Sequence, residues 1–514
     1  MILVLLIYSC DYQIVEPQRD NPFDVGNELF STDLFNLQTQ NLSEHILISW
    51  EYTHEKPLLD AYLLYRVNTS GEGILIYTGI ETAFEDSDVE WGSRYYYYVT
   101  GKINQEESLP PEFDELPEVV RGIYVGINSE YTKISDALNV LKDGDVIHVQ
   151  GGGGAGSNGE YVENIDFAGK NIKLICDDQP GSCEIQGNDS GPVVSFSGNE
   201  DTTAVMNGFK IKGNNSTEDG GAMMINEGSG PLIKNCIFEN NATTGDGGAI
   251  FCDRDATPII ENCTFTDNQA EGDGGAIYCK RDSEPIITNC TFEDNKSEGD
   301  GGAIAIDRAS PQIELSTFRL NEAAKNGGAI YMRDSRDIDF IQSIFEYNEG
   351  DLGGALYIED CDFAPKPIKF INCILWQNSG YRGAGIYSQE SEIIIDYSTF
   401  TRNSALNGEG GALFLKMHNN VEITNSILWQ NNAEEFPEIA AESGTNIVEA
   451  NHSDIEGGEI HVGEGNINVD PKFEDESDGD LQLENDSDCI GTDSNSTQMG
   501  AWGNDVMKIG ATEE

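Results

Sequence analysis

Short runs in which apolar and polar residues alternate dominate the chain between residues 215 and 432, where they recur about every 27 residues. Each run follows a Gly-Gly-Ala phrase that begins at Gly220, Gly247, Gly274, Gly301, Gly327, Gly353 and Gly410, with a degenerate copy at Gly383. A second phrase, Phe or Leu followed three residues later by Asn, begins at Phe238, Phe265, Phe292, Phe318, Phe345, Leu375, Phe400 and Leu428. Alternation with a period of two predicts β-strands, and repetition at this length predicts stacked coils.

The alternation assigns one row of side chains to the interior and two rows to the surface. Ile250, Ile277 and Ile304 occupy equivalent positions in successive units and are predicted to stack inward. The neighbouring row is aromatic and is predicted to face solvent; it comprises Phe251, Tyr278, Tyr331, Tyr357, Tyr387 and Phe414, with a gap at Ala305. Exposed aromatic strips commonly mark contact sites, so this row is the candidate ligand-binding surface, with rings packed along the strands as the alternative interpretation.

Three further rows follow from stacking the units in register. Asp253, Lys280 and Asp307 alternate in sign and predict an outward ladder of opposite charges. The Phe of the second phrase predicts an inner ring stack. An asparagine row, Asn235, Asn262, Asn289, Asn372 and Asn425, is expected to bond along the axis of the stack.

The two phrases resemble the GGAI and FxxN repeats of polymorphic outer membrane proteins, a family of bacterial surface adhesins. The resemblance covers roughly residues 215 to 432. It implies an all-β chain whose main body is a right-handed parallel β-helix, and it implies a role in surface adhesion. Nothing in the sequence resembles that family's C-terminal translocator barrel, so another means of surface display is expected.

The flanking segments predict how the helix starts and ends. Residues 131 to 142 form an amphipathic pattern, and the order of helix and strands there looks like the N-terminal cap of pectin-lyase-like β-helix proteins. A cap is expected because an open end coil would expose unpaired strand edges. The β-helix is therefore predicted over residues 121 to 445, followed by final coils and a closing segment over residues 446 to 514.

Residues 28 to 120 predict a small antiparallel β-sandwich that precedes the helix. Four strand-like runs occur there, and Trp50, Tyr62 and Tyr65 with Tyr95 resemble a fibronectin type III domain in which Tyr95 has the place of the tyrosine corner. Such a domain is expected to act as a spacer.

The first residues predict export. Ile2 to Tyr8 is an apolar run too short to span a bilayer, and Ile7 to Cys10 resembles a bacterial lipobox, which implies a signal peptide over residues 1 to 10 and a lipid anchor on Cys10. Residues 11 to 27 are polar and would form a linker. An ordinary N-terminal strand is the alternative. An extracytoplasmic or surface location follows, with membrane contact only through the anchor.

The charge balance narrows the range of partners. The 514 residues include 91 Asp and Glu against 29 Lys and Arg, a formal net charge of −62. Such a charge repels nucleic acid and anionic membranes, so neither is expected as a partner. A polysaccharide or a surface or matrix protein remains, bound by a chain expected to be a monomer.

Two groups of residues are candidates for metal or disulfide chemistry. Asp219, Asp246, Asp273 and Asp300 precede successive glycine pairs, and their mutual repulsion suggests either splaying into water or bridging by Ca²⁺. Cys176 and Cys183 are close enough in sequence for a loop-closing disulfide in an oxidising compartment. A further row mixes Cys and Ser freely (Cys236, Cys263, Cys290, Ser316), which favours buried free thiols over a metal cluster.

The function is expected to be binding, with catalysis left open. A polysaccharide lyase would need a cation and a basic Arg or Lys, and Arg254, Arg281 and Arg308 are candidates. They recur in successive units, whereas a catalytic site is a single constellation. A lipoprotein adhesin that uses a face of the β-helix is therefore favoured over a polysaccharide lyase or glycoside hydrolase on the same scaffold, and a purely structural envelope role is a third hypothesis.

Overall fold

A computed structural model describes most of the chain. The described residues are 3–6, 35–41, 46–52, 59–67, 73–89, 94–103, 106–108, 118–120, 123–127, 129, 131–154, 156, 159–213, 215–361, 367–442, 445–457, 463–476, 479–491 and 499–500. All statements below concern these residues.

Two small antiparallel sheets come first. One has the order β1-β2-β3-β6 and the other the order β5-β4-β7-β8, with β9 also on β7. The strands are β1 (Leu3–Leu6), β2 (Phe35–Asn41), β3 (Ile46–Tyr52), β4 (Ala61–Val67), β5 (Gly73–Gly79), β6 (Ala83–Asp86), β7 (Arg94–Ile103), β8 (Glu106–Glu107) and β9 (Glu118–Val120). The apolar run at the start of the chain thus supplies an edge strand, paired antiparallel with β2.

The core of these sheets is aromatic and aliphatic, and one tyrosine anchors it. Trp50, Leu64 and Tyr97 are among its buried members. The Tyr97 hydroxyl donates a 2.9 Å hydrogen bond to Asp86. The hydrogen-bonded buried tyrosine is therefore Tyr97, two residues after the predicted Tyr95, which is only half-buried.

A short helix, α1 (Ile134–Val140), covers the first coil. Its inward residues Ile134, Ala137 and Leu138 are buried. The Glu163 carboxylate accepts from the first helical N–H groups, those of Ile134 at 2.8 Å and Ser135 at 2.9 Å, which satisfies donors that the helix itself cannot pair. The predicted cap helix forms, over a shorter range than residues 131 to 142.

Three parallel sheets, called here the first, second and third walls, wind around one core. They contain 13, 12 and 11 strands, respectively. The first wall comprises β10 (Ile123–Val125), β11 (Val146–Val149), β14 (Lys173–Cys176), β17 (Val205–Asn207), β21 (Leu232–Lys234), β25 (Ile259–Glu261), β29 (Ile286–Thr288), β33 (Gln312–Glu314), β37 (Asp339–Ile341), β40 (Ile368–Ile371), β44 (Glu392–Asp396), β48 (Asn420–Thr424) and β52 (Ile447–Asn451).

The other walls have the same stacking. The second wall comprises β12 (Tyr161–Val162), β15 (Cys183–Gln186), β18 (Phe209–Lys212), β22 (Ile237–Glu239), β26 (Thr264–Thr266), β30 (Thr291–Glu293), β34 (Thr317–Arg319), β38 (Ile344–Glu346), β41 (Ile374–Trp376), β45 (Thr399–Thr401), β49 (Ile427–Trp429) and β53 (Asp454–Ile455). The third wall comprises β13 (Ile165–Asp166), β16 (Val194–Phe196), β20 (Met223–Ile225), β24 (Ile250–Cys252), β28 (Ile277–Lys280), β32 (Ile304–Asp307), β36 (Ile330–Arg333), β39 (Leu356–Glu359), β43 (Ile386–Gln389), β47 (Leu413–Lys416) and β51 (Ile439–Ala441).

Short strands join the second wall to the third. One set comprises β19 (Asn215–Ser216), β23 (Ala242–Thr243), β27 (Gln269–Ala270), β31 (Lys296–Ser297) and β35 (Glu322–Ala323), and a later set comprises β42 (Ser379–Gly380), β46 (Ser404–Glu409) and β50 (Asn432–Glu435). An antiparallel hairpin, β54 (Phe473–Asp475) and β55 (Asp480–Leu483), follows the last coil.

The predicted inner rows are confirmed. Ile250, Ile277 and Ile304 are fully buried and are direct partners in successive strands of the third wall. In the second wall the rings from Phe238 to Phe345 stack in five successive coils with centroids 4.7 to 4.8 Å apart. The sequence repeat is therefore one coil per unit.

The Gly-Gly-Ala phrase is a turn that brings the backbone against the third wall. Gly247 has φ +68°, and a Cβ there would lie 2.4 Å from the Ile250 carbonyl oxygen. A Cβ on Gly248 would lie 2.1 Å from the Gly275 carbonyl oxygen of the next coil. Both positions therefore require glycine, and the alanine that follows, Ala249, is fully buried.

Candidate functional site

The aromatic row of the third wall is covered, so its predicted exposure is wrong. Phe251, Tyr278, Tyr331, Tyr357, Tyr387 and Phe414 lie on the outer side of the strands, yet each is at most 7% exposed. Ala305 is fully buried, so the gap in the row opens no slot. The rings form two contacting groups, one at each side of that gap.

The turn that precedes each third-wall strand provides the cover. A Cβ on Gly220 would lie 3.1 Å from the Cβ of Phe251, which shows how closely the turn lies over the row. Leu352, from the equivalent turn of a later coil, packs into the same cluster. Cations add to the cover, since Lys280 Nζ lies 5.0 Å from the Tyr278 ring centroid and Arg382 lies 4.9 Å from that of Phe414. These aromatic residues pack the turns against the wall and leave no ring face for a ligand.

The predicted ladder of alternating charges forms with different cations. Asp253 and Asp307 are 6% and 3% exposed, so they do not point into solvent. Asp253 pairs with Arg281 at 2.8 Å, whereas Asp307 pairs with Arg308 at 3.1 Å and with Arg333 at 3.0 Å. Lys280, the predicted partner in between, lies over Tyr278 instead.

Their ion pairs make Arg308 and Arg333 poor candidates for a general base. The Asp307 carboxylate raises the pKa of Arg308 and of Arg333, and the two guanidinium groups hold the pKa of Asp307 below its usual value despite its burial. A general base must exist in its neutral form near the working pH. Arg308 and Arg333 therefore stay charged, and one coil away Arg281 also contacts a carboxylate, that of Asp253.

Backbone N–H groups of the next coil lie against the carboxylates of the acidic row and offset part of their negative charge. Asp219 Oδ1 accepts the N–H of Asp246 at 2.9 Å, Asp246 accepts that of Asp273 at 2.9 Å, and Asp273 accepts that of Asp300 at 2.8 Å. Burial raises the pKa of Asp246 and of Asp300. Within the described part of the chain, no three His, Cys, Asp or Glu side chains are grouped to hold a metal ion. These N–H to carboxylate bonds offset part of the mutual repulsion for which a Ca²⁺ site at Asp219, Asp246, Asp273 and Asp300 was expected.

One pair of cysteines forms a disulfide, and three others form a buried row. Cys176 and Cys183 are bonded to each other, closing the loop between the first and second walls. Cys236, Cys263 and Cys290 are buried free thiols, and their Sγ atoms donate to backbone carbonyl groups near the corner. Ser316 makes the equivalent bond in the next coil at 2.8 Å, which explains why Cys and Ser interchange there.

The asparagine that ends the second phrase forms a buried ladder that the sequence interpretation missed. Each side chain donates Nδ2–H to Oδ1 of the next asparagine at 2.9 to 3.0 Å, and each also donates to a carbonyl of the preceding coil. The members are Asn241, Asn268, Asn295, Asn321, Asn348, Asn378, Asn403 and Asn431. The constant distance of three residues from the Phe or Leu of the second phrase to its Asn is the sequence feature that could have indicated this ladder. In the predicted row, Asn289 donates to Asn262 Oδ1 at 2.6 Å, and Asn235 donates to Asn207 Oδ1 at 2.7 Å.

A buried carboxyl ends this ladder. Asn431 donates its backbone N–H to Glu438 Oε1 at 3.2 Å and its Nδ2–H to Glu438 Oε2 at 2.6 Å. Burial raises the pKa of Glu438 to about 8. Glu438 thus takes the acceptor position that an asparagine of a further coil would have.

The outer face of the second wall carries polar side chains in register in its earlier coils. Thr264, Thr291 and Thr317 are partners in successive coils, and all three are half-buried. Beside them lies the row Thr266, Glu293 and Arg319. These six residues, called here the open face, form a flat array of hydroxyl, carboxylate and guanidinium groups that repeats with the coils.

The same wall is covered in later coils. Ile344, Ile374 and Trp376 are buried on its outer side against Leu481 of the C-terminal hairpin. Next to the open face, burial raises the pKa of Glu346 to about 7. The open face therefore ends at the coil of Ile344.

The residues proposed for export are outside this description. Cys10 lies outside the described residues, and so does the linker of residues 11 to 27. Among the described residues, no helix is long and apolar enough to cross a membrane.

Comparison with known proteins supports the fold. The family described as "Right handed beta helix region" matches residues 177–318 and 273–395. No curated protein matches the sequence. Solved structures aligned with it include pectate lyase PelI from Erwinia chrysanthemi in complex with tetragalacturonic acid, at 12% identity over 66% of this chain and 88% of that chain, with a TM-score of 0.14.

A second alignment is of the same kind. It is with pectate lyase Pel3 from Pectobacterium carotovorum, at 13% identity over 59% of this chain and 86% of that chain, also with a TM-score of 0.14. Alignments at this TM-score support neither a shared active site nor a shared substrate. Strand order, coil register and the family match together make the body of this protein a right-handed parallel β-helix.

Proposed function

We propose that the protein is an adhesin-like extracytoplasmic protein that binds a neutral polysaccharide, on a cell surface or in a matrix, through the open face of the second wall. The observation that carries the proposal is the repetition of this face. Thr264, Thr291 and Thr317 present hydroxyl groups in strict register, and adjacent strands lie about 4.8 Å apart. A ligand that matches such an array is itself a polymer with hydroxyl groups at regular intervals.

The ligand is neutral because of the charge of the protein. A formal net charge of −62 repels polyuronates and sulfated glycans over the screening length of the medium. On the open face, Glu293 and Arg319 are ion-paired with each other, so this surface offers hydrogen bonds with little net charge.

Catalysis is the weaker alternative. A polyuronate lyase needs a cation and a neutral basic side chain, whereas Arg281, Arg308 and Arg333 are held as cations by carboxylates. The same pairing in neighbouring coils serves the stability of the wall.

Two features support an extracytoplasmic location. A disulfide such as that between Cys176 and Cys183 persists in oxidising compartments outside the cytoplasm. Cys10, after the apolar run, would carry the lipid that attaches the protein to the envelope. Processing before Cys10 would remove β1 and leave the rest of the sandwich as a spacer. Mass spectrometry of the mature protein would then show a diacylglyceryl group on residue 10, and an unmodified Met1 would contradict this assignment.

The binding proposal is tested on an array of neutral glycans, acidic glycans and matrix proteins. We expect neutral glycans to be retained, and we expect Thr291→Lys to weaken the retention at least tenfold, because a long cation breaks the flat array. Thr288→Lys, on the outer face of the first wall in the same coil, is the matched control. Equal retention by both variants would contradict the choice of face, and retention of no neutral glycan would contradict the proposed function.

A further inference from the structure

The inner ring stack of the second wall sets the spacing of the open face. Thr264, Thr291 and Thr317 each precede a phenylalanine of that stack, and each is a direct partner of the next across the wall. The phenylalanine rings behind these threonines have centroids 4.7 and 4.8 Å apart and interplanar angles of 3° and 2°. Because each threonine is joined directly to its phenylalanine, the threonine side chains repeat at the same interval on the outer side.

A row of amide groups lies beside the threonines. Asn262 and Asn289 come two residues before Thr264 and Thr291, and both asparagines are exposed. Asn289 donates its Nδ2–H to Asn262 Oδ1 at 2.6 Å, so the two amides are held in register along the axis of the β-helix. Amide and hydroxyl groups both donate and accept hydrogen bonds, which suits the hydroxyl groups of a sugar.

The row of threonines is three coils long. Its place is taken by Ile237 in the coil before Thr264 and by Ile344 in the coil after Thr317. Ile237 is half-buried, whereas Ile344 is 7% exposed and packs in a cluster with Leu481 of the C-terminal hairpin. A ligand that follows the threonines therefore contacts three coils, over about 10 Å from the first hydroxyl to the third.

The conformation of a polysaccharide decides whether it can follow such a row. In a β-1,4-linked chain of glucose, mannose or N-acetylglucosamine, both linkages of each ring are equatorial and the chain is a straight ribbon. Each residue advances by one ring and one bridging oxygen, which is close to the spacing of the coils. Successive residues are turned over, but each carries hydroxyl groups on both edges. An α-1,4-linked glucose chain curves into a helix and leaves the row.

We propose that the open face binds an extended, β-1,4-linked neutral glycan that lies parallel to the axis of the β-helix, with one sugar residue on each of three coils. This inference rests on the proposed function and adds the conformation, the direction and the length of the bound segment.

Competition by short oligomers tests the match. The full chain is retained on the neutral polysaccharide found by the array, and soluble oligomers of two to six residues compete for it. The probes are β-1,4-linked oligomers of glucose, of mannose and of N-acetylglucosamine, with α-1,4-linked glucose oligomers as the helical comparison. In one β-1,4-linked series the affinity should rise about fivefold per residue up to three residues and then level off. The α-1,4-linked oligomers should compete at least tenfold more weakly.

Two variants at the ends of the row test its length. Ile237→Thr adds a hydroxyl in the coil before Thr264, so the affinity should then rise up to four residues. Ile344→Thr adds the same group to the same column next to Leu481 and is the matched control, whose affinity should still level off at three. Circular dichroism checks the fold of both variants. If Ile344→Thr does not fold, the comparison of Ile237→Thr with wild type still decides.

Several results would overturn this inference while the proposed function stands. They are equally tight retention of a polymer that is not β-1,4-linked, failure of every oligomer to compete, an affinity that rises beyond three residues in wild type, and a plateau that Ile237→Thr leaves unchanged. In each case Thr291→Lys would still weaken retention of the polymer. If wild type retains no neutral polysaccharide, both proposals fail.

Discussion

Individual polar residues determine how the interior of this β-helix is closed. The eight asparagines of the buried ladder pair one coil with the next inside the corner between the second wall and the short strands. From Asn268 to Asn431, each side-chain oxygen accepts from the asparagine of the preceding coil, whereas Asn241 Oδ1 at the start of the ladder has no hydrogen-bond partner. Glu438 supplies the final acceptor, so the ladder ends within the protein. A buried network of this kind stabilises one register of stacking over others.

Removal of one ladder member should therefore destabilise the protein more than removal of a surface asparagine. Asn295→Ala removes the acceptor of the Asn268 side-chain amide and backbone N–H, and it removes the side-chain donor to the Phe265 carbonyl. Asn321 Oδ1 keeps only the backbone N–H of residue 295 as a donor, and the total cost should be about 2 to 4 kcal/mol. Asn420→Ala removes one long bond of 3.3 Å at an exposed position and should cost under about 0.5 kcal/mol. Urea unfolding followed by circular dichroism compares the two, and equal losses would contradict a ladder role.

The stability should fall as the pH rises through the neutral range. In the folded protein burial raises the pKa of Glu438 to about 8, whereas in the unfolded chain it has its ordinary value near 4.3. Between these values the folded state binds the proton more tightly, so this group favours folding at pH 5 and loses that contribution as the pH approaches 8. Glu346 and Asp454, with pKa raised to about 7 and about 6, act in the same direction.

Glu438→Gln isolates one part of this dependence. The amide keeps an acceptor for Asn431 and carries no charge, so the decrease in melting temperature between pH 5 and pH 8.5 should be smaller than in wild type. An identical decrease in both proteins would show that the Glu438 carboxyl does not titrate in this range.

The turns are the elements that decide which faces of the helix remain open. The Gly-Gly-Ala turns lie over the third wall and cover its aromatic row, whereas the threonines of the second wall before Ile344 stay half-buried among the residues that the structure describes. The first glycine of a turn needs both a positive φ and room above the following strand.

A comparison of two glycines separates these requirements. Gly274 has φ +70° and a Cβ there would lie 2.3 Å from the Ile277 carbonyl oxygen, whereas Gly144 has φ +87° with nothing within 4 Å. Gly144→Ala should cost about 1 to 2 kcal/mol from backbone strain, and Gly274→Ala should cost about 3 kcal/mol or more because the backbone must also move. Chemical denaturation measures both, and similar costs would contradict close contact of the turn with the wall.

The acidic turns should be insensitive to calcium. Their carboxylates already accept N–H groups of the next coil, so neither millimolar Ca²⁺ nor chelator should shift the melting temperature by more than about one degree. A rise of several degrees in Ca²⁺ would restore a metal site at these residues.

The sequence repeat predicts the coils well because each inward row must be apolar in every unit. The row from Ile250 and the stack from Phe238 were identified for this reason. Alternation assigns a side chain to the outer side of a strand, but it does not tell what packs on that side. The aromatic row was misassigned because the covering turn, containing Gly220 and Leu352, comes from another part of the coil.

At the scale of the whole molecule, long-range contacts define the candidate site. The C-terminal hairpin packs on Ile344 and Trp376 through Leu481, more than a hundred residues later, and no local pattern in the sequence marks that contact. The open face, in contrast, can be recognised in the sequence from the Thr-Phe pairs of consecutive repeats. Its exposure nevertheless depends on where the hairpin ends. The cap helix covers the first coil, and the final hairpin packs on the later coils of the second wall. The turns of the β-helix cover its third wall.

The most direct test of the central claim is co-sedimentation of the protein with insoluble neutral polysaccharides, followed by measurement of the length and the end groups of the polymer. The account predicts that the protein sediments with a neutral polysaccharide and that neither polymer length nor the number of chain ends changes over hours. Shortening of the polymer, or sedimentation only with acidic polysaccharides, would contradict it.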